Sequence, residues 1–253
     1  MKYSDEIKIL HYWSDQLPET AINDFIYIQR RVFQSNFNIK RFKKKYFENI
    51  YGPSIIVLAY YEDRCIGARA FWRNDIHGNK AYQPCDTAVL EEYRGKGIFG
   101  KMTKVALNQN IKDSYIYNFP NDNSLGGYRK LSWEISLHMK YKFFNSKVDI
   151  NNIDRIDSSY LKWLISRTYN PNYNSLYYSY IKGSYFLVKK RKFNLYLIIG
   201  EVDREYALNL PKTRFPIHLV YSTKGYFGRG VVFATKNIPE NIKIPLYKMD
   251  TLF

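Results

Sequence analysis

A chain of 253 residues, 45% of them hydrophobic and 25% charged, can fill one large core or two small ones, which argues against disorder. Its longest apolar run, residues 55–61, is far too short to span a bilayer, and its polar, partly acidic beginning is unlike a signal peptide, so a cytoplasmic protein is expected. The net charge of +16 favours anionic partners, whether nucleic acid, an acidic membrane or phosphorylated small molecules, without choosing among them.

Residues 22–34 carry apolar side chains at Ile22, Phe25, Ile26, Ile28, Val32 and Phe33, which predicts a long helix, and 39–46 reads as a shorter basic one. Two apolar, β-branched and aromatic runs, 54–61 and 64–72, flank Glu62-Asp63 and predict a tight hairpin. Cys65 and Cys85 lie in separate apolar segments without metal-ligand spacing and read as buried thiols. A strand over 82–90 runs into a glycine-rich turn and a helix over 98–111. A strand at 114–119, a short helix at 123–133 and a strand at 135–144 follow. This order predicts a mixed α/β fold whose sheet is mainly antiparallel and flanked by helices. From about 150 onward the chain reads as a helix (160–168), a Tyr- and Asn-rich connection (169–180) and strands at 185–190, 194–201, 217–222 and 231–234. The expected division is residues 1–150 and a smaller α/β subdomain, 151–253, with no second phosphate cradle.

The turn Tyr93-Arg94-Gly95-Lys96-Gly97-Ile98-Phe99-Gly100 concentrates the chemistry. Three glycines in six residues let a backbone turn tightly and approach a ligand, and the helix that follows offers unpaired NH groups and a positive dipole end. Arg94 and Lys96 add charge suited to a pyrophosphate. A dinucleotide fold would place its βαβ unit near the chain start with an acidic residue closing the second strand, whereas this second strand ends in Asn118-Phe119-Pro120. The nucleotide P-loop would need Gly-Lys-Ser/Thr after the glycines.

The turn instead resembles that of the GNAT superfamily of acyl-CoA-dependent N-acyltransferases: Arg94, Gly97 and Phe99 occupy its Gln/Arg, Gly and Gly/Ala positions. Phe99 departs from that pattern, and Gly100 follows one residue late. A second block agrees in register, with Asn121, Ser124, Tyr128 and then Ser132-Trp133, where Ser132 replaces a usual glycine. The resemblance covers about residues 20–145. It implies that the NH groups of residues 96–100 hold a CoA pyrophosphate together with Arg94, Gly95, Lys96, Gly97, Ile98, Phe99 and Gly100. It also implies that the strand edge at Ala88, Val89 and Leu90 pairs with the pantetheine arm and that Asn121 and Ser124 border the cofactor. Tyr128 takes the family's role of protonating the departing thiolate, a task suited to a phenol. The co-substrate implied is acetyl-CoA or a related short-chain acyl-CoA, with no metal.

Within the superfamily, the two blocks look like the two-subdomain enzymes of surface-polysaccharide biosynthesis. Some of these acylate nucleotide-linked amino sugars such as dTDP-3-amino-3,6-dideoxyhexoses in O-antigen or capsule synthesis. Tyr160-Leu161-Lys162-Trp163 and Asn170-Pro171 look like that group's second half, a degenerate GNAT-like repeat. The expected partners are small molecules, with neither nucleic acid nor membrane. Candidates for the base are Asp86 first, on the strand feeding the cradle, then His77 and Glu134. Arg69, Arg73, Lys80 and Arg129 are candidate cations for an acceptor diphosphate, and Trp72, Tyr82 or residues 173–180 candidate surfaces for its base. The alternatives are a GNAT acetyltransferase for protein or small-molecule amines, a Fem-type aminoacyl transferase, and a basic nucleic-acid-binding module that uses the turn on backbone phosphate.

Overall fold

The computed structural model describes residues 7–109, 111–167 and 175–248, except for the side chains of 137, 138, 167 and 229. In chain order the elements are β1 (Ile7–Trp13), α1 (Glu19–Phe33), α2 (Ile39–Phe42) continued by a π-helical turn (Lys43–Phe47), β2 (Ile55–Tyr61), β3 (Arg64–Arg73) and β4 (Ala81–Val89). There follow α3 (Ile98–Leu107), β5 (Tyr115–Asn118), α4 (Asp122–Lys130), β6 (Glu134–Phe143), α5 (Ser158–Arg167), β7 (Leu176–Ile181), β8 (Ser184–Lys190), β9 (Leu195–Val202), α6 (Arg204–Ala207), β10 (Ile217–Ser222) and β11 (Phe227–Lys236). They fall into two compact units. One runs as far as Ile135 and includes Ala234–Ile242; the other comprises Ser136–Phe233 and the described residues from Lys243 onward.

In the first unit the strands lie in the order β1-β2-β3-β4-β5, with the Ala234 to Lys236 end of β11 paired antiparallel to β5. Strands β1 to β4 are antiparallel to one another, while β4 and β5, joined through α3, run parallel. Ile55 to Ala59 in β2 are all fully buried, so this strand is covered on both faces. Helices α1 and α3, which both pack on it, supply the cover. Their apolar stripes are Ala21, Ile22, Phe25, Ile26 and Ile28 on α1, and Ile98, Met102 and Ala106 on α3.

Two irregularities in this sheet shape the site. Ala68 pairs with Ala88 but Ala70 with Cys85, so Asp86 and Thr87 stand together opposite Arg69 in a β-bulge, and Asp86 takes a φ of 45°. Strands β4 and β5 pair only at Ala81 with Tyr115 and Tyr82 with Ile116. Beyond that point the side of β4 turned away from β3 has no strand partner among the described residues, as far as the glycine-rich turn.

In the second unit the order is β11-β6-β10-β9-β8-β7; β6 pairs with β10, β9 with β8 and β8 with β7 antiparallel, and β9 with β10 parallel. Phe186, Val188, Tyr196, Ile198 and Val220 form its core, with Phe144, Ile150, Ile153, Tyr177 and Ile181 packed against them. Both units contain a three-stranded antiparallel meander, then a helix, then a strand parallel to the third. In the second unit the helix α6 has four residues and no glycine-rich turn before it.

The mixed, mainly antiparallel α/β architecture matches the expectation from the sequence. Two strands were not foreseen. β1 lies between the polar beginning and the first predicted helix, where no element is expected, and β7 overlaps the Tyr- and Asn-rich connection. Leu176 and Ser179 are buried while Tyr177, Tyr178 and Tyr180 are partly or largely exposed, as suits an edge strand whose aromatic residues cover a pleated surface. Residue 168, the last of the predicted helix, and residues 169–174 of that connection, including Asn170, Pro171 and Tyr173, lie outside the described residues.

Candidate active site

The strand β4 ends in a single 3-10 turn, Glu91–Tyr93, and the chain then passes through Arg94, Gly95, Lys96 and Gly97 into α3. Gly95 and Gly97 have φ of 77° and 74°, conformations that other residues adopt only under strain. Gly100 has ordinary helical geometry. An added Cβ would meet nothing within 4 Å at any of the three. The space above the turn and the first helical turn is therefore open. Gly97 caps α3 without a side-chain bond, and the first helical bond runs from Lys101 NH to Gly97 C=O at 3.0 Å, so the NH groups of 98 to 100 precede the helical ladder. With Lys96 alongside, this end of α3 suits an anionic group of pyrophosphate size. Leu90 NH is bonded to Ile66 C=O at 2.9 Å and Ala88 pairs with Ala68, whereas Val89 C=O accepts a bond from Arg94 Nε at 3.1 Å.

Phe99 turns its ring away from the open face. It lies against Gly127 of α4, makes an edge contact with Tyr128 at 5.5 Å between centroids, and carries the guanidinium of Arg69 4.3 Å above its centre. Around that ring is a buried polar cluster that sequence reasoning did not assemble. The Tyr128 hydroxyl accepts bonds from Arg69 Nη2 at 2.9 Å and from Asn118 Nδ2 at 2.5 Å. Arg69 Nη1 donates to Thr87 Oγ1 at 2.9 Å, across from the bulge, and its Nε has no partner. Arg69 is fully buried and no carboxylate pairs with it among the described residues. Burying an uncompensated guanidinium costs several kcal/mol, a cost characteristic of functional sites. With both acceptor positions of the Tyr128 oxygen filled, its own proton is directed away from Arg69 and Asn118. Trp133 closes the cluster, with its ring 4.7 Å from that of Tyr128. The signal in the sequence was Arg69 itself, a charged residue inside the apolar run Cys65 to Trp72.

Asp86 is built into a different cluster. Its carboxylate accepts from Lys45 Nζ at 3.0 Å and from the Tyr46 hydroxyl, and its backbone C=O accepts from Gln29 Nε2 at 2.6 Å. Lys45 and Tyr46 come from the π-helical turn and are buried. Burial, then the neighbouring Asp86 charge, pushes the Tyr46 phenol well above its ordinary range. The positive φ of Asp86 is thus held by three side chains from two helical segments.

The remaining candidates divide by burial. Asn121 caps α4, accepting from Ser124 NH at 3.0 Å, while Ser124 Oγ returns a bond to Asn121 C=O at 3.1 Å. Trp72 and Tyr82 are fully buried and offer no surface for a nucleobase, and Arg69 is committed to Tyr128 and Thr87. Arg73 is held by Asp75 at 2.5 and 2.9 Å. Lys80, Arg129 and Glu134 are exposed, and His77 sits at a φ of 49° in the turn between β3 and β4.

The site thus joins an open helix N-terminus, at the end of a strand with a free edge, to a buried and oriented phenol. Residues 15–136 match the family model of the acetyltransferase (GNAT) domain. Similar solved structures include a GCN5-related N-acetyltransferase from Kribbella flavida (11% identity, TM-score 0.53, 91% of this chain and 71% of that one). Eis1 from Mycobacterium abscessus is also similar (9%, 0.52, 89% and 72%), as is a probable N-acyltransferase from Enterococcus faecalis V583 (11%, 0.53, 90% and 72%). At these identities the likeness is one of fold. No curated protein matches the sequence. Residues 15–136 form a GNAT acetyltransferase domain, and the protein is an acyl-CoA-dependent N-acyltransferase.

Proposed function

We propose that the protein transfers a short acyl group from acyl-CoA to the amine of a nucleotide-linked amino sugar, as a step in making an O-antigen or capsule. The observation that carries the transfer chemistry is the Tyr128 hydroxyl, buried and accepting from both Arg69 and Asn118. The thioester supplies the activated acyl group. Residues 95–100 bind the diphosphate through NH groups and Lys96, the edge of β4 turned away from β3 along Ala88, Val89 and Leu90 aligns the arm that follows, and Asn121 and Ser124 fix the start of α4 beside it. Holding both reactants in one place supplies much of the acceleration. Tyr128 donates its proton to the leaving sulfur, and the phenolate left behind is met by two hydrogen bonds, one of them from a cation. Asp86 is the assigned proton acceptor for the amine. Lys45 and Tyr46 orient its carboxylate, and the amine releases its proton readily once its nitrogen has begun to bond to the acyl carbon.

The nucleotide-sugar acceptor is supported by the Arg-Gly-Lys-Gly-Ile-Phe and Asn-Phe-Pro-Asn-x-Asn-Ser patterns and by the excess positive charge. Thermal shift with acetyl-CoA, desulfo-CoA, dTDP, UDP and tRNA at two salt concentrations, followed by acyl transfer to a panel of amino sugars, tests the assignment. Stabilisation by the CoA species and by one nucleoside diphosphate is expected. A response to CoA species without any to nucleotides would remove the acceptor, and no response to CoA species would remove the donor.

A further inference from the structure

Two phenylalanines in the second unit stand almost completely in solvent: Phe193 is 89% exposed and Phe215 94%. They sit at the tips of separate loops, the β8–β9 hairpin and the segment leading into β10, and the two tips are tied together. Asn194 Nδ2 donates to Arg214 C=O at 3.3 Å and to Phe215 C=O at 2.8 Å, and Ile217 NH donates to Asn194 C=O at 3.3 Å. Phe193, Asn194 and Phe215 all have positive φ, at 55°, 58° and 44°. A bulky residue in that region is a strained exception, and here the strained backbone presents apolar rings to water instead of burying them. Ile217, also exposed, extends the same tip.

The surroundings carry one sign of charge. Lys190, Lys192, Lys212 and Arg214 are exposed and lie within three residues of Phe193 or Phe215 in the chain, and no carboxylate pairs with Lys192, Lys212 or Arg214 among the described residues. From residue 158 to residue 239 the only acidic residues are Glu201, Asp203 and Glu205. Glu201 lies seven residues along β9 from Asn194, about 20 Å at the rise of a strand, and Arg155 pairs with Glu201 and Asp203 there.

We propose that this tip is a peripheral anchor for an anionic lipid bilayer, with Phe193 and Phe215 entering the interface and the flanking lysines and arginine meeting the headgroups. A second copy of the chain would bring the same cations face to face. A single-stranded nucleic acid stacks its bases on rings laid along a groove, whereas these rings stand on loop apices. No helix among the described residues is long and apolar enough to cross a membrane, and the expectation of no membrane partner rested on the lack of such a span, a criterion that does not bear on peripheral attachment.

The test uses the full chain, sedimented with phosphatidylcholine vesicles with and without phosphatidylglycerol. Binding only to the anionic vesicles is expected, weakened by salt. Phe193→Asn with Phe215→Asn keeps residues that tolerate positive φ, so the fold and its melting temperature should be retained while vesicle affinity falls by at least about tenfold. Lys192→Glu with Arg214→Glu should do the same, and Phe193→Trp should report insertion as a blue shift of its emission on anionic vesicles. The anchor is overturned by no sedimentation with anionic vesicles, or by equal sedimentation of the Asn double variant. It is equally overturned if that variant loses tRNA binding or self-association while its vesicle binding is unchanged.

Discussion

The ring of Phe99 fills the place where residue 127 would carry a side chain: a Cβ built on Gly127 lies 2.6 Å from Phe99 Cε1. The GNAT pattern has a small residue at position 99; in this chain a large residue stands there on α3, and a glycine on α4 leaves room for it. Gly127→Ala should therefore destabilise the protein, because overpacking costs about 1–3 kcal/mol while the helix gains at most about 1 kcal/mol. Adding Phe99→Ala to it should restore part of the loss through coupling of the two sites. Urea unfolding of the four proteins of this cycle checks it. Equal or greater stability for Gly127→Ala alone would show that the two positions do not compete for space.

The Phe99 ring also forms the floor beneath Arg69, so the same ring shapes the setting of Tyr128. Tyr128→Phe removes the oxygen that satisfies Arg69 Nη2 and Asn118 Nδ2 and should cost about 1–3 kcal/mol of stability. It should also lower kcat while leaving CoA affinity within about twofold, the signature of a group acting in the transition state. Arg69→Met should lower kcat by about 10²–10³, in the range for loss of one charge-stabilising donor, while stability changes little because a buried cation leaves with its two bonds. Steady-state kinetics with calorimetric CoA binding separates these effects. A kcat unchanged by Tyr128→Phe, with chemistry limiting, would remove the phenol from the proton transfer.

Gly100 separates ligand approach from folding. It is helical and an added Cβ would meet nothing, so Gly100→Ala should raise stability by up to about 1 kcal/mol through helix propensity. The same methyl group stands on the face of α3 assigned to the diphosphate and should weaken CoA binding by about tenfold or more, since close backbone approach is what such glycines provide. Thermal melts and CoA titration on one preparation decide it. A more stable protein with unaltered CoA affinity would move the diphosphate away from Gly100.

The elements legible in the sequence were those set by local chemistry. The period of α1, the Glu62-Asp63 hairpin and the glycine turn depend on neighbours in the chain. The pattern even marked Ser132 as occupying a glycine position, and its φ is 56°. Ser132→Gly should accordingly stabilise the protein by up to about 1 kcal/mol, because left-handed geometry costs a non-glycine residue about that much; no gain in a denaturant melt would mean that the Ser132 side chain offsets its strain. What was not legible depends on distant partners. Arg69 meets Tyr128 only because α4 folds back over β3, and the bulge that brings Thr87 to Arg69 and turns Asp86 toward Lys45 and Tyr46 shows no local signature. Edge strand β7 was hidden because its tyrosines resemble those of the adjoining connection.

The second unit contains a histidine whose burial makes stability depend on pH. His218 Nε2 lies 2.7 Å from Ser179 Oγ, which in turn contacts Thr213 Oγ1 at 2.9 Å, and burial holds the imidazole below its ordinary range. The unfolded chain takes up this proton near pH 6.5 and the folded chain only at lower pH. The stability contributed by neutral His218 is therefore fully present above about pH 6.5 and declines as pH falls toward the folded value, since the unfolded state binds more protons across that window. Thermal melts from about pH 7.5 down to about pH 5.5, above the carboxylate range, should show a falling Tm. His218→Gln, which keeps a polar group for Ser179, should flatten the slope over that window. An identical slope in the variant would place the titrating group elsewhere in the chain.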